Sequence, residues 1–525
     1  MTSPPSRTKL IPAPVCGGFD ERGGLPQGYA KREALKAQKP VAVDTFGGRV
    51  HVEWDPAAAV TPLGQLPFFI DFLKASGVFD AWVKDCPLHY VSNNAPDKRA
   101  VLATFLLSIL AGHHRYAHIT GIREDSIHPD LLGVDKLVSE DAARRALMRI
   151  DESAGLEWLS RHLAKTTQPL LDTPWILDLD TTIKSLYGKQ EGAVVGYNPH
   201  KPGRPSHSYH SAFMANTRLA LGVEVMPGNA TAPAHSMPGI WAWLDALPPS
   251  ERPALLRGDI AYGNESVLRE AEARHQPYLT KLRLTKNVRR LVTRLLAHPD
   301  WEKAGQGWQG REDTLQLASW SRPRRVIVLR RQIKGDALIA AQDDPQMALA
   351  FIESKATAAA YEYAVLVTST DYEILTAAQL YRDRADAENN FDELKNQWAW
   401  GGFTTHDLKR CRLMASMVAL VYNWWNLFVR LANPHKHHEA ITSRPLLLHG
   451  VATKTQHGGQ TTLTITCQHA KQATIQAVRT RFAVFLSPSS PPQLTDLERL
   501  TRILRRAFAK FLQGRTYPAA LLTPG

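Results

Sequence analysis

The sequence contains few cysteines, and they lack the spacings that hold a structural metal ion. Only four occur in 525 residues, far apart along the chain. They are Cys16, Cys86, Cys411 and Cys467. The absence of a CxxC pair or a Cys/His finger spacing argues against a structural zinc site and favours a reducing compartment.

Long apolar runs are also missing. The N-terminus, MTSPPSRTKLIPAP, lacks the apolar core of a signal peptide. Residues 413–429 approach the length of a membrane span, but they include Asn423 and Asn426 and fall short of the ~20 apolar residues that a span requires. We therefore predict a buried helix there and a soluble, intracellular protein without a membrane partner. Internal repeats and low-complexity tracts are not evident.

Positive charge is what the chain has in excess. Lys and Arg number 63 against 50 acidic residues, which gives a net charge of +13 and a pI near 9.5. The hydrophobic fraction of 44% is ordinary for a folded globular protein. Such a charge balance predicts a polyanionic partner, with nucleic acid first and an anionic membrane surface second. A merely basic soluble protein is the alternative.

Changes of pattern along the chain predict six segments. Alternating strands and helices with acids at strand ends indicate an α/β sheet that binds its ligands at one edge. The segments are an N-terminal arm (1–55), a helical DNA-binding region (56–170), the first part of the α/β core (171–283), an inserted mainly-β module (284–360), the second part of the core (361–432) and a C-terminal region (433–525).

The helical region contains a candidate DNA-binding element. The segment VSEDAARRALMRI (138–150) begins with an N-cap serine, Ser139, and acids in the first turn. Arg144, Arg145 and Arg149 follow. A short helix before it, DLLGVDK, makes a helix-turn-helix conceivable, with these arginines directed at DNA. An ordinary amphipathic helix with a basic face is the alternative.

Two acids end predicted strands. In WILDLDTT, Asp178 and Asp180 share one strand face, and Thr181 follows the second acid. In ALLRGD, the apolar strand leads to Asp259. We favour Asp180 over Asp178 as the first functional acid because a threonine follows it, which leaves Asp178 a supporting or structural role.

The third acid lies in the stretch YRDRADAENNFDELK (381–395). Read as one helix at ~100° per residue, it places four polar side chains within a sector of about 60°. They are Tyr381, Arg384, Glu388 and Lys395. Such a face does not look like a core-packing surface, although a solvated face with an Arg384–Glu388 i,i+4 pair is the alternative. Asp386 and Asp392 lie off this face and are interpreted as solvated.

An acid triad of Asp180, Asp259 and Glu388 suits Mg²⁺. Hard divalent cations prefer oxygen ligands, and a few carboxylates suffice because water and substrate phosphate fill the other positions. Two such ions ~3.5–4 Å apart stabilise the attacking and leaving oxygens of an in-line phosphoryl displacement. The triad therefore fits cutting or joining of DNA, although many α/β proteins carry acids at strand ends.

The spacing of the 381–395 stretch resembles a known signature. Tyr381, two residues, Arg384, three residues, Glu388, six residues and Lys395 match the Y-(2)-R-(3)-E-(6)-K pattern of DDE transposases from bacterial insertion sequences at all four positions. The order of the acids, the threonine after the first acid and the long insertion before the glutamate agree with that family. The resemblance covers residues 175–431, and more loosely the helical N-terminal region.

This resemblance implies an RNase H-like catalytic core with an inserted mainly-β module, preceded by a helical N-terminal DNA-binding region. The implied activity cuts DNA at the terminal inverted repeats of an insertion sequence and joins the 3′-OH ends to target DNA. Two Mg²⁺ ions, with Mn²⁺ as a substitute, would be held by Asp180, Asp259 and Glu388. The implied partners are double-stranded DNA and a second copy of the chain on paired ends, in a bacterial cytoplasm, associated with the nucleoid.

Further site residues follow from the same resemblance. Tyr381, Arg384 and Lys395 would contact DNA phosphates near the scissile bond. Some members stack a flipped base on a tryptophan of the insertion. The candidates are Trp301, Trp308 and Trp320. A buried structural tryptophan is the alternative for each of them.

Basic and histidine-rich stretches are less specific. KPGRPSHSYH contains His200, His207 and His210, which we interpret as part of a flexible basic loop facing DNA rather than a zinc site, because the chain has 20 histidines. Arginine clusters in the 284–360 segment indicate phosphate contacts along DNA. They are Arg289–Arg290, Arg322–Arg325 and Arg330–Arg331.

Two other functions remain open at this point. One is an RNase H-like DNA nuclease without strand joining, because cutting and joining use the same metal chemistry. The other is a catalytically silent DNA-binding regulator derived from a transposase. Short inverted repeats flanking the gene would favour the transposase.

Overall fold

The computed structural model describes residues 39–466, except 56, 93, 199–200, 334–350, 354–359 and 434–435, together with 476, 480 and 495–509. Cys16, Cys467 and His200, which the sequence analysis considered, lie outside the described residues. The chain forms two compact units, residues 1–59 and 60–525. The first contains an antiparallel hairpin of β1 (Val41–Thr45) and β2 (Gly48–Val52).

The second unit begins with a strand and a run of helices whose apolar faces are buried. Helix α3 is buried along its whole length from Ala100 to Leu110, and its first turn is capped by the Asp97 carboxylate. The predicted N-cap Ser139 accepts a hydrogen bond from the Ala142 amide at 3.3 Å. The elements are β3 (Val60–Thr61), α1 (Leu66–Ser76), α2 (Val78–Asp85), α3 (Lys98–Leu110), α4 (Ile119–Arg123), α5 (Ile127–Leu132), α6 (Glu140–Arg149) and α7 (Glu152–Lys165).

One large mixed sheet forms the centre of this unit. Its eleven described strands are β4 (Ile176–Ser185), β5 (Val194–Val195), β6 (Pro205–Met214), β7 (Leu219–Pro227), β8 (Leu255–Gly258), β9 (Tyr278–Lys281), β10 (Glu302–Gly305), β11 (Trp308–Leu315), β12 (Arg324–Gln332), β13 (Phe351–Glu353) and β14 (Ala360–Thr368). Their order is β10-β11-β12-β14-β9-β8-β4-β6-β5, with β13 paired to β14 and β7 to β6. Strands β4, β8 and β9 are parallel to one another, and the other pairings are antiparallel. The architecture is therefore mixed α/β.

Helices connect and cover these strands. They are α8 (Ala232–His235), α9 (Met237–Ala246), α10 (Glu265–Ala273), α11 (Lys286–Leu296), α12 (Ile374–Arg382), α13 (Ala385–Gln397), α14 (Leu408–Ala432), α15 (Ala440–Leu447) and α16 (Asp496–Ala507). A hairpin of β15 (Ala452–His457) and β16 (Gln460–Ile465) turns at Gly458 and Gly459 and pairs with β3. Helix α16 starts at a capping box formed by Thr495 and Glu498.

Helix α14 is the buried helix that the sequence predicted from its apolar run. Asn423 is fully buried, and its side-chain amide bonds the backbone of Ala220 in β7, at 2.8 Å in both directions, and the Thr166 hydroxyl at 3.0 Å. These bonds satisfy a polar group inside an apolar core. Across the described ranges, the structure contains no helix with the length and apolarity to cross a membrane.

Three local predictions are wrong. The 381–395 stretch is two helices, α12 and α13, because the Arg384 amide bonds the Tyr381 carbonyl in a turn between them. His207 and His210 are buried in strand β6 rather than exposed in a loop. Asp386 is not simply solvated, because it accepts a 2.6 Å bond from Arg218.

Candidate active site

Parallel strands bring the first two acids side by side. The last register pair between β4 and β8 is Leu179 with Gly258, and the next residue on each strand is Asp180 and Asp259. Asp259 directly follows the end of β8, whereas β4 continues to Ser185 in pairing with β6, so Asp180 lies within its strand instead of ending it as predicted. The two acids therefore meet where β8 stops, and ligands bind at the carboxyl ends of parallel strands in open α/β sheets. The Asp259 carboxylate accepts a 2.9 Å bond from the Ala261 amide, which fixes it in the turn after β8.

One guanidinium joins the third acid to the first. Arg384 lies in the turn before α13 and is almost completely buried. It donates to Asp180 Oδ2 at 2.6 Å and to Glu388 Oε1 at 3.1 Å. Asp180 and Glu388, more than 200 residues apart in sequence, therefore meet on a single positive charge.

Burial and neighbouring charges raise the pKa of Asp180 to about 7. Desolvation is the largest cause, and the carboxylates of Asp259 and Glu388 add to it, whereas the Arg384 guanidinium opposes it. The Thr181 amide also opposes it by donating to Asp180 Oδ1 at 2.7 Å. Because burial and neighbouring carboxylates disfavour the ionised form of Asp180, a second positive charge beside it would stabilise that form.

Tyr381 belongs to the same electrostatic group. Its pKa is raised above the ordinary value, first by burial and then by Asp259, Glu388 and Asp180. Arg384 opposes the rise. The structure therefore brings together Asp180, Asp259, Glu388, Tyr381 and Arg384.

A buried salt bridge underlies these residues. Asp178 in β4 accepts two bonds from Arg257 in β8, at 2.6 and 2.7 Å, and both side chains are almost fully buried. Arg257 also donates to the carbonyl of Leu380, the residue before Tyr381. This pair links the strand of Asp180, the strand of Asp259 and the helix that leads to Arg384 and Glu388.

Ionic contacts also hold α13 in place. Arg218, between β6 and β7, bonds Asp386 at 2.6 Å and lies 3.6 Å from Glu393. Glu393 is buried and accepts a 2.7 Å bond from His437, which keeps the pKa of this glutamate below its ordinary value despite burial. These contacts hold α13 at Asp386 and Glu393, one before and one after Glu388 in sequence.

A polar network lies behind Asp180. The Thr181 hydroxyl is 3.0 Å from His210 Nδ1 and 3.3 Å from the Tyr262 hydroxyl. His210 Nε2 is 3.1 Å from the Ser208 hydroxyl. Burial lowers the pKa of His210 to about 4, so this histidine is neutral near pH 7 and acts as a hydrogen-bonding residue.

The donor atoms at this site suit a hard divalent cation. Asp180, Asp259 and Glu388 offer carboxylate oxygens, the ligands that Mg²⁺ and Mn²⁺ prefer. Among the residues that the structure describes, no group of three or more acidic, histidine or cysteine side chains is close enough to hold a metal ion. Arg384 instead supplies the positive charge between two of the carboxylates. The residues present therefore fit a cation in chemical type, and Asp180 and Glu388 converge on one charge, while the three carboxylates are not spaced as a closed metal site.

The other predicted site residues are not part of this cluster. Lys395 is exposed near the end of α13 and has no ion-pair partner within the described ranges. Arg144 in α6 lies over the Tyr116 ring at 5.1 Å and 3.8 Å from Glu140, and Arg145 is exposed on the same helix.

The three tryptophans proposed for base stacking each face an arginine. The guanidinium carbon of Arg330 lies 4.0 Å from the centre of the Trp301 ring, and that of Arg331 lies 4.9 Å from the centre of the Trp308 ring. Trp320 is buried, with Arg324 at 4.9 Å from its ring. Each ring therefore already has a cation–π partner.

Arg257 is the residue of this site that the sequence analysis missed. A signal was present, because LLRGD places an arginine inside a short apolar strand directly before an acid. A charged side chain in a buried strand needs a partner of opposite charge. Asp178, which shares a face with Asp180, was the unassigned acid.

Comparisons with known proteins identify the family of the chain. A family model described as "Transposase DDE domain group 1" matches residues 92–484. One similar solved structure is a cryo-EM structure of a piggyBac transposase synaptic complex with hairpin DNA, at 11% identity and a TM-score of 0.34 over 89% of this chain and 87% of that one. No curated protein sequence matches. Because the family model spans about three quarters of the chain, the protein belongs to the group 1 family of transposase DDE domains.

Proposed function

We propose that the protein is a transposase that cuts DNA at the terminal inverted repeats of an insertion sequence and joins the 3′-OH ends to target DNA. The observation that carries this proposal is the Arg384 bridge between Asp180 and Glu388, beside Asp259 on the adjacent parallel strand. The bridge joins two acids from distant parts of the sequence, and the register between β4 and β8 sets Asp259 beside Asp180, which supports a shared site for the three. Family membership supports a transposase.

Asp180, Asp259 and Glu388 would hold two divalent cations. When bound, these ions lower the energy of charge on the attacking and leaving oxygens of a phosphoryl transfer. The carboxylates would no longer depend on Arg384 for neutralisation. The Arg384 guanidinium could then pair with a DNA phosphate, since arginine binds carboxylate and phosphate in the same forked geometry.

The remaining predicted residues would position DNA. Tyr381 lies beside the acids and would contact a phosphate near the scissile bond, and Lys395 would contact one further along α13. Arg144 and Arg145 on α6 would bind duplex DNA. We further propose that the catalytic core is RNase H-like and that two copies of the chain act on paired ends.

Cleavage of a duplex that carries the DNA flanking the gene tests this proposal. With Mg²⁺, wild type should release a 3′-OH at the element boundary, and Glu388→Gln should not, because the charge that holds the metal is lost. Asp392→Asn is the matched control. Asp392 is an exposed acid on the same helix whose carboxylate accepts a bond only from Asn396 among the described residues, so this variant should cleave like wild type.

The outcomes separate three functions. Cleavage by Glu388→Gln at the wild-type rate would rule out the acid triad. Cleavage by wild type without joining to a second duplex would identify a nuclease. Binding of the end DNA without cleavage would identify a catalytically silent regulator.

A further inference from the structure

Helix α11 (Lys286–Leu296) has one buried face and one strongly basic face. Its apolar side chains pack into the core. They are Val288, Leu291, Val292 and Leu295. The opposite face lines an open cleft of about 420 Å³ with Lys286, Arg289, Arg290 and Thr293 alone. The cleft therefore presents three cations and one hydroxyl, and no acid.

Most of the other arginines between α11 and the end of β12 are already paired with acids, and Arg311 donates to the Asp300 carbonyl at 2.7 Å. Their partners are glutamates or aspartates at ion-pair distance: Arg322 with Glu272, Arg324 with Glu265 and Glu272, Arg325 with Glu312, Arg331 with Glu362 and Arg294 with Asp313. Arg330 donates to the Gln309 side chain at 2.9 Å and lies between two aromatic rings. These arginines make structural contacts.

The cations of the α11 cleft have no such partners. Lys286, Arg289 and Arg290 form no ion pair with any described acid, and Arg290 donates only to the Asn287 side chain, at 3.3 Å. Among the described residues, the Nε of Arg289 is buried without a hydrogen-bond partner. A buried donor of this kind is normally satisfied. The cleft is therefore a concentration of positive charge that is free to pair with an anion from outside the described residues.

The position of α11 relates it to the candidate active site. Strand β9 is parallel to β8 and is its neighbour, so it ends at the same sheet edge as Asp259. Helix α11 starts five residues after β9 ends at Lys281. Five residues span at most ~18 Å. The basic cleft therefore lies on a chain segment that leaves the sheet beside the acids.

We propose that the α11 cleft binds the phosphate backbone of duplex DNA. Lys286, Arg289, Arg290 and Thr293 recur at one-turn spacing, and from Lys286 to Thr293 the helix rises about 10.5 Å. That length matches about three phosphates of one strand, which follow each other every ~3.4 Å along the duplex axis. Backbone contacts of this kind position DNA without reading its sequence. The inference rests on the proposed function, because it takes DNA as the substrate.

Salt-dependent binding of a random-sequence duplex to the full-length protein tests the proposal. The measurement is made with a chelator present, so it does not depend on cleavage or on metal. Lys286→Gln/Arg290→Gln removes two exposed cations of the cleft. Each phosphate contact contributes about 0.9 to the slope of log K against log salt, so the slope should fall by about 1.8. Between about 50 and 200 mM salt, wild type should then lose roughly tenfold more affinity than the variant.

The matched control is Arg294→Gln/Arg325→Gln. It removes the same formal charge, but from residues that are paired with Asp313 and Glu312. Its salt slope should stay close to that of wild type. Both variants should unfold near the wild-type melting temperature, which excludes misfolding as the cause of any change in slope.

Two results would overturn the proposal. One is an equal fall in slope for both double variants, which would mean that only total charge matters. The other is an unchanged DNA slope in Lys286→Gln/Arg290→Gln together with lost binding to phosphatidylserine vesicles, which would make the cleft a membrane-binding surface. Neither result depends on whether the protein cleaves DNA, so failure here is distinct from failure of the proposed function.

Discussion

Buried charges near the acids predict the effects of single substitutions. The Asp178–Arg257 pair is almost free of solvent, so removing one partner leaves the other charged and unpaired in the core. We expect Asp178→Asn to lower the free energy of unfolding by about 3–5 kcal/mol. Urea unfolding followed by fluorescence measures this change.

An exposed pair of the same construction is the control. Arg99 bonds Asp80 at 2.6 Å and the Leu132 carbonyl at 2.9 Å, just as Arg257 bonds Asp178 and a carbonyl. Because Asp80 is more than half exposed, Asp80→Asn should change the free energy of unfolding by less than about 1 kcal/mol. Equal losses in the two variants would contradict a special role for the buried pair.

Lys395 is predicted to act through a phosphate contact. We expect Lys395→Ala to lower the salt slope of binding to end DNA by about 0.9. A filter-binding titration at several salt concentrations measures it. Lys454→Ala removes a lysine that is paired with Asp130 and should leave the slope unchanged. If Lys395→Ala binds with the wild-type slope, Lys395 does not touch a phosphate.

The sequence predicted the residues that meet at this site better than it predicted their contacts. The motif spacing identified Arg384 and Glu388, and their i,i+4 pair was one of the two interpretations considered. The second bond of Arg384, to Asp180, spans 204 positions and depends on how α13 packs against β4. The arginine inside the apolar strand of Asp259 signalled a buried acidic partner, but its pairing with Asp178 in particular depends on the long-range register between β4 and β8.

At the scale of elements, α14 shows how a polar residue can secure a buried helix. Replacing Asn423 by Leu would leave the amide and the carbonyl of Ala220 unpaired inside the core. Unpaired buried groups cost about 1–3 kcal/mol each, so the free energy of unfolding should fall by about 2–6 kcal/mol. Chemical denaturation of Asn423→Leu beside Met417→Leu checks this.

Met417 is the appropriate comparison because it is buried in the same helix. Exchanging methionine for leucine nearly conserves volume and should cost less than about 1.5 kcal/mol. A similar loss in both variants would show that α14 is sensitive to any change in packing and that the Asn423 bonds contribute little.

Element boundaries were less predictable than element types. Strands and helices alternate where the apolar pattern placed them, and the long apolar run is a buried helix. The break between α12 and α13 carries no proline or glycine to signal it. Arg384 lies in that break, and its guanidinium bonds two carboxylates. The end of α12 therefore coincides with a tertiary contact, which local helix propensity does not reveal.

For the whole molecule, neutral buried histidines contribute a fall in stability at mildly acidic pH, which the raised pKa of Asp180 opposes in part because the folded state binds that proton first. Burial lowers the pKa of His162 and of His210 to about 4, against about 6.5 in the unfolded chain. Between these values the unfolded state binds protons that the folded state does not. Their contribution to stability is complete above pH 6.5 and is lost as the pH falls toward 4.

The expected slope is about 1.4 kcal/mol per pH unit for each histidine. Urea unfolding at a series of pH values between 7 and 4 measures it. His162→Gln should reduce the slope by about 1.4 kcal/mol per pH unit, because it removes one of the histidines whose pKa burial lowers to about 4, a group that also includes His113. A variant that keeps the full wild-type slope would show that His162 is not responsible.

The continuous central sheet limits how the chain can be shortened. Strands β10, β11 and β12 come from residues 284–360, yet they extend the same sheet as β4 and β8, and β12 pairs along most of β14. A version lacking those residues would leave the apolar strand β14, with Val365, Leu366 and Val367, at an open edge. Unprotected edges of this kind recruit strands from other molecules and cause aggregation. A soluble minimal transposase would therefore have to retain the inserted strands, whatever they contribute to DNA binding.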